Sequence, residues 1–399
     1  MEKSNKIIII GGGYAGLRTV EYLAKNKQNQ ITLFDKNSYH YMQTEVYDLI
    51  ANEEDFAQVA LDLFTFCMGF ENVVFCKQEV ASVDFANKKV ITQIQRYSYD
   101  YLVIAVGAKT KFVSNIEGLK EHSYGVKSLL HAMYFKQRFE MSLFTKVREG
   151  GTNAKPLNII VAGGGLSGVE IVAQMASYSR EFYNRNNFIC RTLNIVLINS
   201  SKNILKGMDE KLVQKSKKRL KELGVIVKNE KRVVGLDGVS VKLSDGEILP
   251  KDFMIFAGGI EPNTLVSRLN LDKNERGYIE TNEFLQVKKH SEVFAIGDCT
   301  TIYDANGKAL APTADIAEQM AEYCAKNIGN MISNTKPQAY KIRSRGMLIA
   351  LGRNYAASKV FGLYFNGYIA YVVKKLVERV YAMRLSRVAK RGCGKIFES

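Results

Sequence analysis

The 399-residue sequence has no pair of cysteines at CxxC or CxxxxC spacing. Its six cysteines, Cys67, Cys76, Cys190, Cys299, Cys324 and Cys393, stand singly. A disulfide framework, a zinc site and a dithiol active site are thereby disfavoured, and no metal is expected. No apolar run approaches the ~18 residues that a bilayer-crossing helix needs. The N-terminal MEKSNKIIIIGGG carries an apolar run too short for the core of a signal peptide, and that run leads straight into glycines. A cytosolic, reducing setting is the default these absences leave. Acids are scarce late in the chain. From Tyr340 onward thirteen Lys or Arg face two acids, Glu378 and Glu398, so this tail carries +11 of the chain's +16. A basic tail on a nearly neutral body points to an anionic surface, either nucleic acid or membrane.

What the sequence does contain is a repeat. Gly11-Gly-Gly-Tyr-Ala-Gly16 is followed by DYLVIAVG (100–107), and Gly163-Gly-Gly-Leu-Ser-Gly168 by DFMIFAGG (252–259). Both landmarks are offset by 152 residues. Each glycine loop follows an apolar strand and opens an amphipathic helix, which is the context a dinucleotide cradle requires. The first glycine permits the tight turn and the second lets the backbone approach a pyrophosphate. The third packs helix on strand, with the helix N-terminus facing the phosphates. The spacing predicts an α/β chain with two Rossmann-like dinucleotide-binding domains.

The copies differ after their second strand. Asp35 ends ITLFD, where a carboxylate holds a ribose 2′-hydroxyl. The second copy has Asn199 there, followed by Ser-Ser-Lys. An asparagine can accept from a hydroxyl and lacks the charge that repels a 2′-phosphate, so NADH and NADPH both remain open as donors. An exchanging nicotinamide dinucleotide needs a partner that keeps its hydride, and a flavin is the usual solution. The flavin belongs in the first copy, because the late strand VFAIGD returns a carboxylate, Asp298, and Gly297 toward it. From Phe365 to Arg391 apolar residues (Ile369, Val372, Leu376, Val380, Met383, Val388) recur at helical spacing among basic ones. That pattern suits a helix lying on an anionic membrane; a helix packed on the body or at a homodimer interface would read the same. The helical spacing favours membrane over nucleic acid.

With these landmarks the chain resembles the two-dinucleotide-binding, disulfide-reductase-like flavoproteins. Within them it resembles the type II NADH:quinone oxidoreductases, the single-subunit, non-pumping NADH dehydrogenases. The carrying stretches are GGGYAGL (11–17), NSYHYMQTEVYDLI (37–50), AGGGLSGVEIVAQM (162–175), FAGGIEPN (256–263), FAIGDCT (294–300) and RGMLIALGR (345–353). The resemblance implies FAD contacts from Gly11, Gly13, Gly16, Asp35, Gly107, Gly297, Asp298 and Ala314. It implies nicotinamide-dinucleotide contacts from Gly163, Gly165, Gly168, Asn199 and Gly259. Glu170 matches a family glutamate near nicotinamide and flavin, though a first-turn helix acid is the plain structural alternative. After the Gly-Asp pair the family pattern is Ala-Gln-x-Ala-x-Gln; here it reads Ala314-Asp315-Ile-Ala-Glu-Gln319, so Asp315 and Gln319 become the candidates facing the quinone. The implied organisation is an FAD domain at 1–115 and 288–340, an NAD(P)H domain at 116–287 and a membrane-association region at 341–399. It implies a peripheral enzyme on the cytoplasmic side of an inner membrane. Two rival readings stand beside it. One is a sulfide:quinone oxidoreductase, which would need cysteines beside the flavin. The other is a non-enzymatic flavoprotein with a nucleic-acid-binding tail.

Overall fold

The computed structural model describes residues 4–51, 54–148, 156–185, 193–303, 307, 309–343 and 345–398. Cys190 lies outside them. The run Ile7–Ile10 is buried along its whole length. Four β-branched residues in succession suit a parallel strand covered on both faces. The strand Asn5–Ile10 pairs parallel with Asn29–Asp35 on one side and Tyr101–Ile104 on the other. Val73–Lys77 and His290–Ala295 extend the sheet outward, and Gln286–Val287 closes its edge antiparallel. A second parallel sheet repeats this order: Leu157–Ala162 lies between Leu193–Asn199 and Phe253–Phe256, with Ile226–Asn229 at the edge.

The repeat holds at the level of single hydrogen bonds. Ile7 faces Tyr101 as Ile159 faces Phe253. The Asp100 carboxylate accepts from the Lys6 amide at 2.7 Å, and Asp252 accepts from Asn158 at 2.7 Å. Ala108–Thr110 pairs antiparallel with Ile260–Pro262, and Lys109 sits opposite Glu261 in a 3.2 Å ion pair. Those two residues are each other's counterparts in the repeat. Antiparallel pairing of a residue with its own counterpart requires a local twofold relation, so the two modules face each other across this ribbon.

The C-terminal region fastens both modules. It begins with a three-stranded antiparallel sheet, Gly346–Ala350, Ala356–Val360 and Leu363–Gly367, and continues as one helix, Tyr368–Glu398. Ile349, Leu351 and Ala357 enter the core of the second module, and Leu385 enters that of the first. The helical pattern read from Phe365 therefore starts three residues late, because Phe365 is a strand residue opposite Ser358. Three of the tail's basic residues also face inward. Lys375 and Arg384 pair with carboxylates of neighbouring elements, which no periodicity within the tail could reveal, and buried Lys374 pairs with Glu378 of its own helix. Arg379, Arg387, Lys390 and Arg391 stay exposed, beside exposed Ile369, Val372, Leu376, Val380 and Met383. Among the described residues no helix is long and apolar enough to cross a membrane.

Candidate active site between two nucleotide cradles

Both glycine loops are built to the same tolerance. Gly11 (φ +111°) and Gly163 (φ +125°) adopt backbone conformations that side chains rarely allow. A Cβ on Gly11 would lie 2.3 Å from the Ala105 carbonyl oxygen, and one on Gly163 would lie 2.4 Å from that of Ala257. At Gly16 and Gly168 a Cβ would meet the carbonyl oxygens of Gly11 and Gly163 at 1.8 Å. At Gly13 and Gly165 it would meet nothing within 4 Å. These two positions face the space a pyrophosphate would take, so both loops fit a dinucleotide.

The rims differ. Asp35 accepts from the Gly12 amide at 2.7 Å and from Asn37 at 2.8 Å, and burial raises its carboxyl above the ordinary value. The Asn199 amide donates both hydrogens, to the Ser201 carbonyl at 2.7 Å and to the Asn229 side chain at 2.8 Å. Its oxygen lies against Gly164, where a Cβ would be 2.4 Å away. Asn199 thus presents an acceptor at the loop and keeps its donors within the module.

A cleft of about 510 Å³ opens between the modules, lined by Gly297, Asp298, Thr313 and Ala317 on one side and Gly259 and Ile260 on the other. Asp298 pairs with Lys127 at 3.2 Å. Gly297 (φ +72°) lets the strand end pass the first cradle's helix, 3.2 Å from the Ala15 methyl for an added Cβ. Gly107 also has positive φ, and its carbonyl accepts from Asn263 of the other module at 3.3 Å. Ala314 starts the helix Ala314–Ile332, capped by the Thr313 hydroxyl. Asp315 is held by Gln319 at 2.8 Å and by Arg345 at 3.1 Å. Gln319 is buried, and its amide also donates to and accepts from the Arg343 backbone at 3.0 and 2.9 Å. The glutamine thereby fixes the 341–343 segment against the helix.

Glu170 lies on the second cradle's own helix, Leu166–Arg185, buried and accepting from the Ala350 amide at 2.8 Å. Burial pushes its carboxyl up to about 7. It borders a charged cluster that sequence reasoning missed. There Lys375 contacts Asp48 at 2.6 Å, Glu54 at 3.0 Å, Glu378 at 3.6 Å and Glu45 at 3.7 Å, and Lys374 pairs with Glu378. Gln174 donates to Asp48. Burial works against the charge of both lysines, but the surrounding carboxylates hold them well above the ordinary range. The available signal was Glu378, one of two acids in the basic tail, placed at i+4 and i+3 from the two lysines.

The Glu170 shift has a consequence for stability. A carboxyl raised on folding stabilises the native state below its ordinary value near 4.5, and that contribution is lost as pH rises to about 7. Between pH 5 and 7.5 the wild type is expected to lose roughly 2–3 kcal/mol that Glu170→Gln does not lose. Urea midpoints across this range read the difference, and parallel curves would contradict it.

The sequence profile described as pyridine nucleotide-disulphide oxidoreductase matches residues 5–321. The chain belongs to that family. Two curated relatives cover nearly all of it. The type II NADH:quinone oxidoreductase of Staphylococcus saprophyticus is 26% identical over 390 residues, 96% of each chain; that of Staphylococcus aureus is 28% identical over 389 residues, 94% of each. The fold superposes on NDH2 from Plasmodium falciparum in complex with NADH, with a TM-score of 0.85 at 20% identity over 98% of this chain and 96% of that one. It also superposes on the sulfide:quinone oxidoreductase of Aquifex aeolicus, with a TM-score of 0.82 at 20% identity over 96% and 92%.

Despite the family's name, the described thiols form no disulfide. Cys299, beside Asp298, donates to the Ile296 and Ile104 carbonyls at 3.1 and 3.3 Å. Burial pushes it up to about 12, and Cys67 likewise. A thiol so held is no nucleophile near neutral pH.

Proposed function

We infer that the chain is an FAD-linked NAD(P)H:quinone oxidoreductase of the type II kind, attached peripherally to a membrane and moving no protons across it. The observation that carries this reading is the pair of equivalent cradles, in which added Cβ atoms would meet the same backbone carbonyls at matching distances and nothing at Gly13 and Gly165. Gly11, Gly13, Gly16 and Asp35, with Gly107, Gly297 and Asp298 at the neighbouring strand ends of the same module, would hold FAD. Gly163, Gly165, Gly168 and Gly259 would hold the nicotinamide donor. When bound, FAD supplies the hydride acceptor for the nicotinamide and the two-electron donor for the quinone.

The residues contribute position and exclusion of water more than proton transfer. Asn199 supports NADH as the preferred donor, because its only group turned to the loop is an acceptor that suits a 2′-hydroxyl. The quinone's approach is assigned to the helix start at Ala314, whose small side chain permits close passage. Asp315 and Gln319 hold the neighbouring segment in place there. A membrane-facing surface is supported by the exposed apolar stripe of the C-terminal helix and by the adjoining hairpin, where Phe361 is 84% and Leu363 71% exposed. Exposed Arg379, Arg387, Lys390 and Arg391 continue that stripe and would meet anionic headgroups.

The decisive test is anaerobic. One equivalent of NADH, and separately of NADPH, is added to the purified protein while flavin absorbance is followed, and a soluble quinone is then added. Rapid bleaching by NADH, slower bleaching by NADPH and recovery with quinone are expected. Bleaching by sulfide and by neither nucleotide would replace this reading with that of a sulfide:quinone enzyme.

A further inference from the structure

The first cradle is held from outside itself. The Gly12 carbonyl receives the Nδ1–H of His40 at 2.9 Å, and the Tyr381 hydroxyl lies 2.9 Å from Nε2 of the same ring. His40 is fully buried, and burial lowers its pKa to about 4, so the ring carries one proton. A carbonyl oxygen only accepts, which puts that proton on Nδ1 and makes Nε2 the acceptor of the Tyr381 O–H. A directed relay therefore runs from the C-terminal helix through His40 to the loop. Tyr14, the first residue of the cradle's helix, packs its ring 5.0 Å from both His40 and Tyr381.

What the relay fixes is a peptide plane. The Gly12 C=O and the Gly13 N–H belong to one trans peptide and point opposite ways. Holding the carbonyl toward His40 turns the Gly13 N–H to the other side, at the residue whose added Cβ would meet nothing. The second cradle shows the contrast. There the equivalent carbonyl, Gly164, accepts from the Leu205 amide at 2.7 Å, a backbone donor of its own module. Both copies clamp this carbonyl, but only the first passes the clamp to the tail.

The tail's seat is sharply defined. A Cβ on Gly69 would lie 2.4 Å from the Val388 carbonyl oxygen, and one on Gly392 would lie 1.9 Å from that of Thr65. Arg384 pairs with Glu318 and, at 3.3 Å, with Glu21. A helix seated backbone to backbone keeps the Tyr381 hydroxyl at a fixed distance from His40.

We propose that Tyr381 and His40 are positioning residues that make retention of the resident flavin in the first cradle depend on the seating of the C-terminal helix, while the exchanging nucleotide in the second cradle is held independently of it. The inference rests on the first cradle being the flavin's. Its test is the rate of FAD release, read as recovery of flavin fluorescence on dilution of the full-length protein. Tyr381→Phe removes one hydroxyl and keeps the ring. It is expected to speed release about tenfold, since a buried acceptor loses its donor, and to leave NADH affinity on FAD-saturated protein unchanged. His40→Asn keeps a donor for the Gly12 carbonyl but no reach to Tyr381. It should release FAD at least as fast as Tyr381→Phe, because the link to the helix is cut, and make a second Tyr381→Phe change silent.

Equal release from wild type and Tyr381→Phe would overturn the coupling, as would equal weakening of FAD and NADH. A wild type that neither contains nor takes up FAD would overturn the flavin reading itself, and this inference with it.

Discussion

Gly16→Val is expected to give a protein without flavin, and Gly168→Val one that keeps its flavin but is no longer reduced by NADH. In each loop a Cβ would meet a backbone carbonyl oxygen at 1.8 Å, a contact no rotamer can relieve. The helix must then move off the strand, and the amides that face the pyrophosphate move with it. The collision is equal in the two copies, so any difference in outcome reports what each cradle holds. For Gly168→Val, bleaching by NADH should fall by at least about 100-fold. Chemical reduction by dithionite followed by reoxidation with quinone should remain near normal. Circular dichroism of both variants establishes that the other module has folded. Flavin loss from Gly168→Val with retention in Gly16→Val would reverse the assignment of the two cradles.

The second large effect is on stability. Lys375 is the cation shared by Asp48, Glu54, Glu378 and Glu45, and its side chain is 13% exposed. Lys375→Met removes that charge and leaves the carboxylates facing one another. Breaking a buried ion cluster from one side costs about 3–5 kcal/mol. Burial and Glu378 already hold the Glu45 carboxyl above its ordinary range, so protonation can relieve part of the repulsion. The deficit in the urea midpoint should accordingly be larger at pH 8 than at pH 6. Lys390→Met, at an exposed position of the same helix, should stay within about 0.5 kcal/mol of wild type. Adding Asp48→Asn to Lys375→Met should restore part of the loss. Indistinguishable midpoints for Lys375→Met and Lys390→Met would remove the cluster from any account of how the tail is held.

The cradles were legible because they are local. The turn, the strand before it and the helix after it fall within about twenty residues, and the glycine spacing is dictated by backbone contacts inside that span. The repeat was legible for a related reason: its 152-residue offset survives in strand register down to Ile7–Tyr101 and Ile159–Phe253. The tail was only half legible. Its apolar stripe is a property of one helix, whereas the direction of Lys375 and Arg384 depends on acids such as Asp48 and Glu318, 327 and 66 positions away. His40 gave no sign at all, since a lone histidine among tyrosines reads as core until its two ring nitrogens are seen to face Gly12 and Tyr381.

The sequence alone determined that this chain carries two phosphate cradles in a duplicated α/β frame, because steric exclusion at glycine and the pairing of apolar strands act over short stretches. Only the tertiary structure decided which groups those cradles answer to. It set Glu170 against Ala350, used Gln319 to hold Arg343, gathered four acids around Lys375 and joined the C-terminal helix to the first cradle. Most of these are meetings of groups distant in sequence, whose partners are chosen by packing and by the cost of leaving a buried charge or donor alone.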